Sequence, residues 1–372
     1  VRIEGAINVT GLDAVGVALD GDLASSLVFQ GGVTATGFRY TSRPQLDIQR
    51  NGLDADDKLL GGPAVRIGGN VAGGILFDIA QTPDTTDANA DGVADKPDVD
   101  GDGVADLAEG SSTITSFGSA PAVLIGGANA ATSVGLINGA AYGVRNKGSI
   151  AADGVLDGFG ATAMQIGRGQ AVSIAGGIDN SGTISANAYV ANATGLLLNG
   201  GVSAPTINNS GTITGSVTTT GAQTARALSI QSGANVGTLS NSGVISAGIT
   251  GSKGAAIAVE DLNGSLRSVV NSGKITAAVV GEANVVTTGK SIALDLRKAT
   301  GPVIVSQDRG PSTTYSAEND TDKDGINDID EPLIYGDVLF GAGDDQLRLA
   351  NGSLTGAMSF GAGADVLSLT GG

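Results

Sequence analysis

The chain has 372 residues, of which 61 are glycine, and it contains no cysteine, histidine or tryptophan. These absences exclude disulfides, thiolate or imidazole metal ligands and every nucleophilic triad that depends on histidine. The net charge is −17, so we expect neither a nucleic-acid-binding face nor a basic membrane-binding patch.

The amino-terminal segment VRIEGAINVTG lacks the basic and apolar regions of a signal peptide. No run of 18 apolar residues occurs, so we expect no transmembrane helix and no direct membrane insertion. The protein is therefore either not exported or the mature part of a longer chain. Short predicted strands with alternating apolar and polar residues begin here. A solvated polar insert, 40–62, interrupts them.

The first acidic insert, 81–111, contains two overlapping loops of the form D-x-[DN]-x-[DN]-G. Calcium binds six to eight oxygens, and alternate residues of such a curled loop direct their oxygens inward. Loop 98–109 supplies Asp98, Asp100, Asp102, the backbone carbonyl of Val104, Asp106 and Glu109. The copy before it supplies Asp87, Asn89, Asp91, the carbonyl of Val93, Asp95 and Asp98. Without a cation these carboxylates would repel one another.

A repeat of about thirty residues follows the first acidic insert. The motif Asn-x-Gly-x-Ile begins at residues 146, 180, 209, 241 and 271. A second, apolar motif precedes the Asn-x-Gly-x-Ile motif, as in AMQI at 163 or ALSI at 227. A third short apolar piece, such as AVSI at 171 or PVIV at 302, lies between these two motifs. The alternation has a period of two, which indicates strands.

Stacked repeats of three short strands predict an all-β fold, a right-handed three-sided parallel β-helix (β-solenoid) that spans 1–372 as a single domain. A β-sandwich is less consistent with the corner residues that recur from repeat to repeat. A left-handed hexapeptide helix is less consistent with the irregular length of the repeats. The prediction places one isoleucine of each repeat in a stacked inward column: Ile150, Ile184, Ile213, Ile245 and Ile275.

The second acidic insert, 307–332, carries a third calcium loop, DTDKDGINDIDE. Its predicted ligands are Asp320, Asp322, Asp324, the carbonyl of Ile326, Asp328 and Glu331. Three calcium ions are therefore expected, and magnesium is disfavoured by the high ligand count. The two acidic inserts contribute −14 of the net charge of −17. Both interrupt the coil where other repeats carry the Asn-x-Gly corner, so they should project from one edge, ~30 Å apart.

The carboxyl-terminal coils, 336–372, contain FGAGDDQLRL at 340 and FGAGADVLSL at 360. These segments also resemble the nonapeptide of RTX calcium proteins. RTX sites need consecutive nine-residue turns, whereas these copies are 20 residues apart. Ordinary β-helix corners are therefore the better interpretation.

The NSGTI and NSGVISAG repeats, together with the FGAGAD-type coils, resemble the passenger domains of bacterial autotransporters. The acidic loops resemble thrombospondin type 3 repeats with EF-hand-like calcium loops. The first resemblance implies an exported β-helix at the surface of a Gram-negative bacterium, and it covers roughly 120–280 and the tail. The membrane β-barrel and the signal peptide of that family are not present in this sequence.

Three functions are consistent with these features. A non-catalytic, calcium-stabilised surface protein would act as an adhesive or structural passenger, contacting host or neighbouring-cell molecules. A self-assembling subunit of a surface layer or filament would contact copies of itself. A polysaccharide lyase or hydrolase would share the β-helix, but the acids outside the inserts, such as Asp179, Asp261 and Asp295, are scattered and no tryptophan is present. We therefore expect no enzyme.

Overall fold

Short parallel strands make up most of the computed structural model, which describes residues 1–37, 40–90, 92–101, 103–281, 283–310, 313–321, 323 and 325–370. Within these ranges one α-helix, Asp47–Asn51, and two single-turn 3-10 helices, Asp106–Ala108 and Asp328–Asp330, accompany the strands. None of the described helices is long and apolar enough to cross a bilayer.

Thirty-two strands follow one another along the described chain. The first sixteen are β1 Arg2–Thr10, β2 Val17–Leu19, β3 Leu27–Thr36, β4 Val65–Ile67, β5 Ile75–Phe77, β6 Thr113–Phe117, β7 Val123–Ile125, β8 Thr132–Val134, β9 Val144–Asn146, β10 Ser149–Asp153, β11 Ala161–Ile166, β12 Val172–Ile174, β13 Ile178–Asn180, β14 Thr183–Tyr189, β15 Ala193–Leu198 and β16 Val202–Ser203. The others are β17 Thr206–Asn209, β18 Thr212–Thr218, β19 Thr224–Ile230, β20 Thr238–Asn241, β21 Val244–Thr250, β22 Ala255–Asp261, β23 Ser268–Asn271, β24 Lys274–Val280, β25 Lys290–Asp295, β26 Ile304–Gln307, β27 Leu333–Tyr335, β28 Asp337–Leu339, β29 Gln346–Leu349, β30 Ser353–Thr355, β31 Met358–Ser359 and β32 Val366–Leu369.

Strands from successive coils pair in parallel and form sheets of 19, 10 and 3 strands. In one coil, β11 lies in the 10-stranded sheet, β12 in the 3-stranded sheet, and β13 and β14 in the 19-stranded sheet. Each strand pairs with its equivalent one coil later, about thirty residues along the chain. The fold is thus the predicted all-β parallel solenoid, whereas its hand and number of sides stay predictions.

The predicted isoleucine column is confirmed by the strand register. Each isoleucine pairs directly with that of the next coil, and all are fully buried: Ile150, Ile184, Ile213, Ile245 and Ile275. Ile114 of β6 extends the column toward the amino terminus. This column forms part of one hydrophobic core that continues from coil to coil, as expected where single strands cannot bury an apolar face alone.

The Asn-x-Gly corner depends on a buried ladder of side-chain amides rather than on positive φ. The Nδ2 atom of each asparagine donates to the side-chain oxygen in the next coil at 2.7–2.9 Å, along the series Asn146, Asn180, Asn209, Asn241, Asn271 and Gln307. The glycines allow close stacking, because a Cβ on Gly211 would lie 2.1 Å from the carbonyl oxygen of Gly182. Each asparagine therefore supplies a hydrogen bond to the buried side-chain oxygen of the next coil.

The two examples of the third apolar piece, AVSI at 171 and PVIV at 302, lie in different strand columns of the solenoid. β12, which contains AVSI residues, lies in the 3-stranded sheet, whereas β26, from PVIV, pairs with β23 in the 19-stranded sheet. Only residues 296–303 separate β25 from β26, and no named strand of the small sheet occurs among them. This coil thus reaches its corner without a strand in the small sheet.

Both acidic inserts leave the solenoid at the same corner, as predicted. The first lies between Phe77 of β5 and Thr113 of β6, and the second between Gln307 of β26 and Leu333 of β27. By register, β5 and β26 belong to one strand column, and β6 and β27 to the next. Six successive pairings connect β5 with β26, which corresponds to ~29 Å at ~4.8 Å per coil.

The polar insert 40–62 is held to a neighbouring corner by arginines. Arg43 forms a bidentate ion pair with Asp157, at 2.6 and 2.9 Å, and its guanidinium lies 4.9 Å from the ring centroid of Tyr189. Arg50 lies 3.6 Å from the same carboxylate. The hydrogen bond from Arg43 lowers the pKa of Asp157 below its ordinary value, although burial acts in the opposite direction.

We expect Arg43→Ala to increase protease cleavage within 40–62 several-fold at pH 7 and to change the melting temperature little, because the pair is partly exposed. Arg66→Ala, which removes the Arg66–Asp20 pair elsewhere on the coil, is the matched control. Because the pKa of Asp157 is lowered, the ion pair contributes its full stabilisation at any pH above 3.8, the ordinary pKa of an aspartate. This stabilisation is lost as the pH falls below that value. Cleavage by pepsin should therefore rise only in that acidic range, and equal cleavage of Arg43→Ala and wild type at pH 7 would contradict the anchoring role.

Candidate metal centre

The three predicted calcium loops have the same backbone conformation at two described positions; we call them acidic loop 1 (87–98), acidic loop 2 (98–109) and acidic loop 3 (320–331). At position 6 each has a glycine with positive φ: Gly92 at 86°, Gly103 at 93° and Gly325 at 89°. Position 4 is left-handed too: Ala90 at 56°, Gly101 at 72° and Lys323 at 64°. Residues other than glycine are uncommon in this region, so contacts within the loop must maintain it.

Those contacts are the same three hydrogen bonds in each loop. The N–H at position 6 donates to the position-1 aspartate at 2.9–3.0 Å: Gly92 to Asp87, Gly103 to Asp98 and Gly325 to Asp320. The N–H at position 2 donates to the position-9 aspartate at 2.9–3.2 Å: Ala88 to Asp95, Val99 to Asp106 and Thr321 to Asp328. The N–H at position 9 donates to the carbonyl just before the loop: Asp95 to Thr86, Asp106 to Pro97 and Asp328 to Asn319. The sequence pattern thus corresponds to a repeated structural unit.

Acidic loop 2 brings three carboxylates together. One oxygen each from Asp98, Asp100 and Asp106 lies within 4.8 Å of the other two. Asp106 is only 3% exposed, and its Oδ2 atom has no hydrogen-bond partner among the described residues. A buried carboxylate oxygen without a donor is costly unless a cation or a proton compensates it. The all-oxygen donor set and the clustered charge fit a hard divalent cation such as calcium.

Four predicted ligands, Asp91, Asp102, Asp322 and Asp324, lie outside the described residues. They occupy positions 3 or 5 of the loops. The residues whose backbone carbonyls are predicted calcium ligands, Val93, Val104 and Ile326, each directly follow the position-6 glycine. Asn89 occupies position 3 of acidic loop 1, whose position-9 residue Asp95 is exposed. Only in acidic loop 2, therefore, do the described residues alone form a carboxylate cluster.

Acidic loop 3 is supported by the chain that precedes it. Asp320 is buried, and its Oδ2 atom accepts a hydrogen bond from the Tyr315 hydroxyl at 2.9 Å. Asp328 accepts from both the N–H and the hydroxyl of Thr321, at 2.9 and 2.8 Å. Asp330 is not a predicted ligand, and hydrogen bonds from Thr313, together with one from Asn327, lower its pKa. The loop is thus ordered by hydroxyl and amide donors.

Glu331, the last predicted ligand of acidic loop 3, lines a cavity between the second acidic insert and the corners of the preceding coils. The cavity has a volume of ≈ 420 Å³, and Ser242, Ser272, Lys274 and Asp330 also line it. Lys274 and the two carboxylates give this cavity groups of both charges. The insert therefore folds back onto the solenoid instead of projecting freely from it.

Glu109, the predicted last ligand of acidic loop 2, contacts the wall of the solenoid. Its Oε1 atom accepts a hydrogen bond from Nε2 of Gln30 at 3.0 Å, and its Oε2 atom accepts from the N–H of Gln81 at 2.9 Å. Gln30 is fully buried in β3. Glu109 thus anchors the end of the insert, and its role as a bidentate ligand stays a prediction.

Sequence reasoning missed two exposed aliphatic side chains beside the loops. Leu107 and Ile329 occupy position 10 of acidic loops 2 and 3, each within a short 3-10 helix. Leu107 is 87% exposed and Ile329 is 72% exposed. An aliphatic residue at the same position of these two acidic loops was the available signal. Single exposed aliphatic residues are common, but here they recur at equivalent places on one edge.

Comparison with known proteins gives no further assignment: no family model, curated protein or solved structure matches the chain.

Proposed function

We propose that this chain is a non-catalytic, calcium-stabilised β-solenoid that acts at the surface of a Gram-negative bacterium as an adhesive or structural passenger. The observation that carries the proposal is the convergence of Asp98, Asp100 and Asp106, with the buried Oδ2 atom of Asp106 lacking a donor among the described residues. Loops of this type bind calcium weakly in extracellular modules, where the ion is abundant. The resemblance of the repeats and tail coils to autotransporter passengers supports the same location.

The placement of the inserts supports a contact function. Both leave the same edge of the solenoid, ~29 Å apart. Calcium at these loops would offset the acidic charge that otherwise repels a partner. The exposed side chains of Leu107 and Ile329 would then lie next to neutralised carboxylates. An edge with bound calcium and apolar tips is suited to contact another protein, including a second copy of this chain.

The acids on the coils support a non-catalytic role. Asp179 binds Arg145 at 2.9 Å, and Asp295 binds Arg297 at 2.6 Å. Asp261 accepts hydrogen bonds from three backbone N–H groups of the turn that follows it, at residues 263, 264 and 266. Each of these carboxylates therefore has a structural role in its own coil, unlike an acid available to a substrate.

The test compares adhesion and aggregation of protein-coated beads in calcium and in excess chelator. The variant Asp106→Asn/Asp328→Asn retains side-chain shape but removes the position-9 charge from acidic loops 2 and 3. We expect it to reduce calcium-dependent association by about tenfold or more, because each loop loses the charge of one ligand.

The control variant, Asp84→Asn/Glu318→Gln, makes the same charge change within the inserts outside the predicted ligands, and should associate like wild type. Calcium-dependent aggregation of beads that carry only this protein would favour assembly from copies, whereas adhesion to cells alone would favour an adhesin. Unchanged association of the double variant, with loss of its ions shown by calcium titration, would contradict the contact function.

A further inference from the structure

The last two coils stack the FGAG corners directly on one another. The rings of Phe340 and Phe360 are parallel, with centroids 5.2 Å apart, and Ala342 forms a β-bridge with Ala362. β29 pairs in register with β32, so that residues twenty positions apart are neighbours. The twenty-residue spacing of the motif is therefore the length of one coil. Asp345 and Asp365, which are twenty residues apart in the sequence, are consequently neighbours in adjacent coils.

Asp345, in the first of these corners, is fully buried. Its Oδ1 atom accepts a hydrogen bond from the N–H of Val303 at 2.8 Å. Its Oδ2 atom is buried and has no hydrogen-bond partner among the described residues. Such an oxygen needs an explanation, since native structures pair most buried polar atoms. The other carboxylate oxygen with this property in the described chain, Oδ2 of Asp106, belongs to the candidate metal centre.

Two further carboxylates lie beside Asp345. The Oδ1 atom of Asp365, one coil later, accepts a hydrogen bond from the N–H of Asp345 at 2.9 Å, and Oδ1 of Asp344 accepts from the N–H of Ala364 at 2.9 Å. Burial raises the pKa of Asp345, and the charges of Asp365 and Asp344 add to this rise, while the hydrogen bond from Val303, second in size only to burial, and the Arg267 charge lower it. The corner thus brings two further acidic residues close to Asp345.

We propose that the corner between the last two coils binds a divalent cation of the calcium type, with Oδ2 of Asp345 as the buried ligand and Asp365 as a ligand from the next coil. Hard cations prefer carboxylate oxygens, and a cation compensates both the unpaired oxygen and the repulsion. The glycines suit this arrangement, because a Cβ on Gly363 would lie 1.8 Å from the carbonyl oxygen of Gly343, so only glycine allows the corners to approach closely. This site is separate from the acidic inserts, and the proposal does not depend on them.

The test measures bound calcium per chain by equilibrium dialysis of the full chain at pH 7.5. Asp345→Asn should bind one ion fewer than wild type, because the amide retains the shape of the side chain but removes its charge. Asp337→Asn is the matched control: Asp337 lies in the same coils and accepts a backbone hydrogen bond from Ala357 through Oδ1. It should bind as many ions as wild type. Equal calcium binding by Asp345→Asn and wild type would overturn the proposal.

A proton on Asp345 is the competing explanation, and melting temperatures distinguish it. With a cation, added calcium should raise the melting temperature of wild type more than that of Asp345→Asn. With a proton, asparagine mimics the neutral acid and the two shifts should be equal. If Asp345→Asn does not fold, the partly exposed Asp365→Asn serves as the second variant. It should lose the same ion, and a full complement of calcium in it would also overturn the proposal.

Discussion

Removal of calcium should open acidic loops 2 and 3 while the solenoid stays folded. At a free calcium concentration one hundred times the dissociation constant, one bound ion stabilises its loop by about 2.7 kcal/mol, a hundredfold change in the open population. We therefore expect amide hydrogen exchange at Val99, Gly103 and Thr321 to accelerate ~100-fold in excess chelator. These N–H groups donate to the position-1 or position-9 aspartates, whose mutual repulsion would then be uncompensated.

Amides of the isoleucine column provide the internal control. Exchange at Ile213 should change little, because its coil is stabilised by apolar burial and strand pairing. Magnesium should restore the loops less well than calcium, since it demands fewer ligands and stricter geometry. Identical exchange of the loop amides with calcium and with chelator would contradict calcium binding there.

Asn209→Asp should lower the free energy of unfolding by about 3–5 kcal/mol at pH 7, because it places an uncompensated charge in the core. The Asn209 Nδ2 atom donates to Asn241 Oδ1 at 2.8 Å and to the carbonyls of Gly211 and Val244 at 3.2 Å. An aspartate cannot donate when ionised, so its oxygens would face three acceptors. Urea unfolding measures the loss.

The pH dependence of this variant adds a second criterion. Burial and the facing acceptors should raise the pKa of the introduced carboxyl above its unfolded value, so the destabilisation should be present above the folded pKa and disappear as the pH falls toward ~3.9. Asn235→Asp, at an exposed corner position, should change stability by less than about 0.5 kcal/mol. Equal urea midpoints for the two variants would contradict the importance of the amide ladder.

The solenoid was readable from the sequence because its core repeats the same local requirement in every coil. An isoleucine four residues after each asparagine, from Ile150 to Ile275, predicted both the column and its register. The asparagines were less well understood. They suggested turn conformations, whereas the structure buries Asn180 and Asn209 in a ladder that links coils 29 residues apart. Contacts between coils have no local sequence signal beyond the repeat itself.

The acidic loops were predictable because their geometry is local: positions 1, 4, 6 and 9 fix the turn within twelve residues. The contacts that the sequence did not predict join residues that are far apart along the chain. Glu109 meets Gln30, which is 79 residues away, and Arg43 meets Asp157, which is 114 residues away. Asp345 was interpreted as part of an ordinary corner because its burial arises only when adjacent coils cover it.

Anomalous X-ray diffraction from crystals of the full chain grown in calcium would test directly whether the inserts are calcium loops on one edge of the solenoid. We expect a calcium peak among Asp98, Asp100 and Asp106 and a second within acidic loop 3, on the same edge and ~29 Å apart. Absence of an anomalous peak among Asp98, Asp100 and Asp106 at saturating calcium would contradict it.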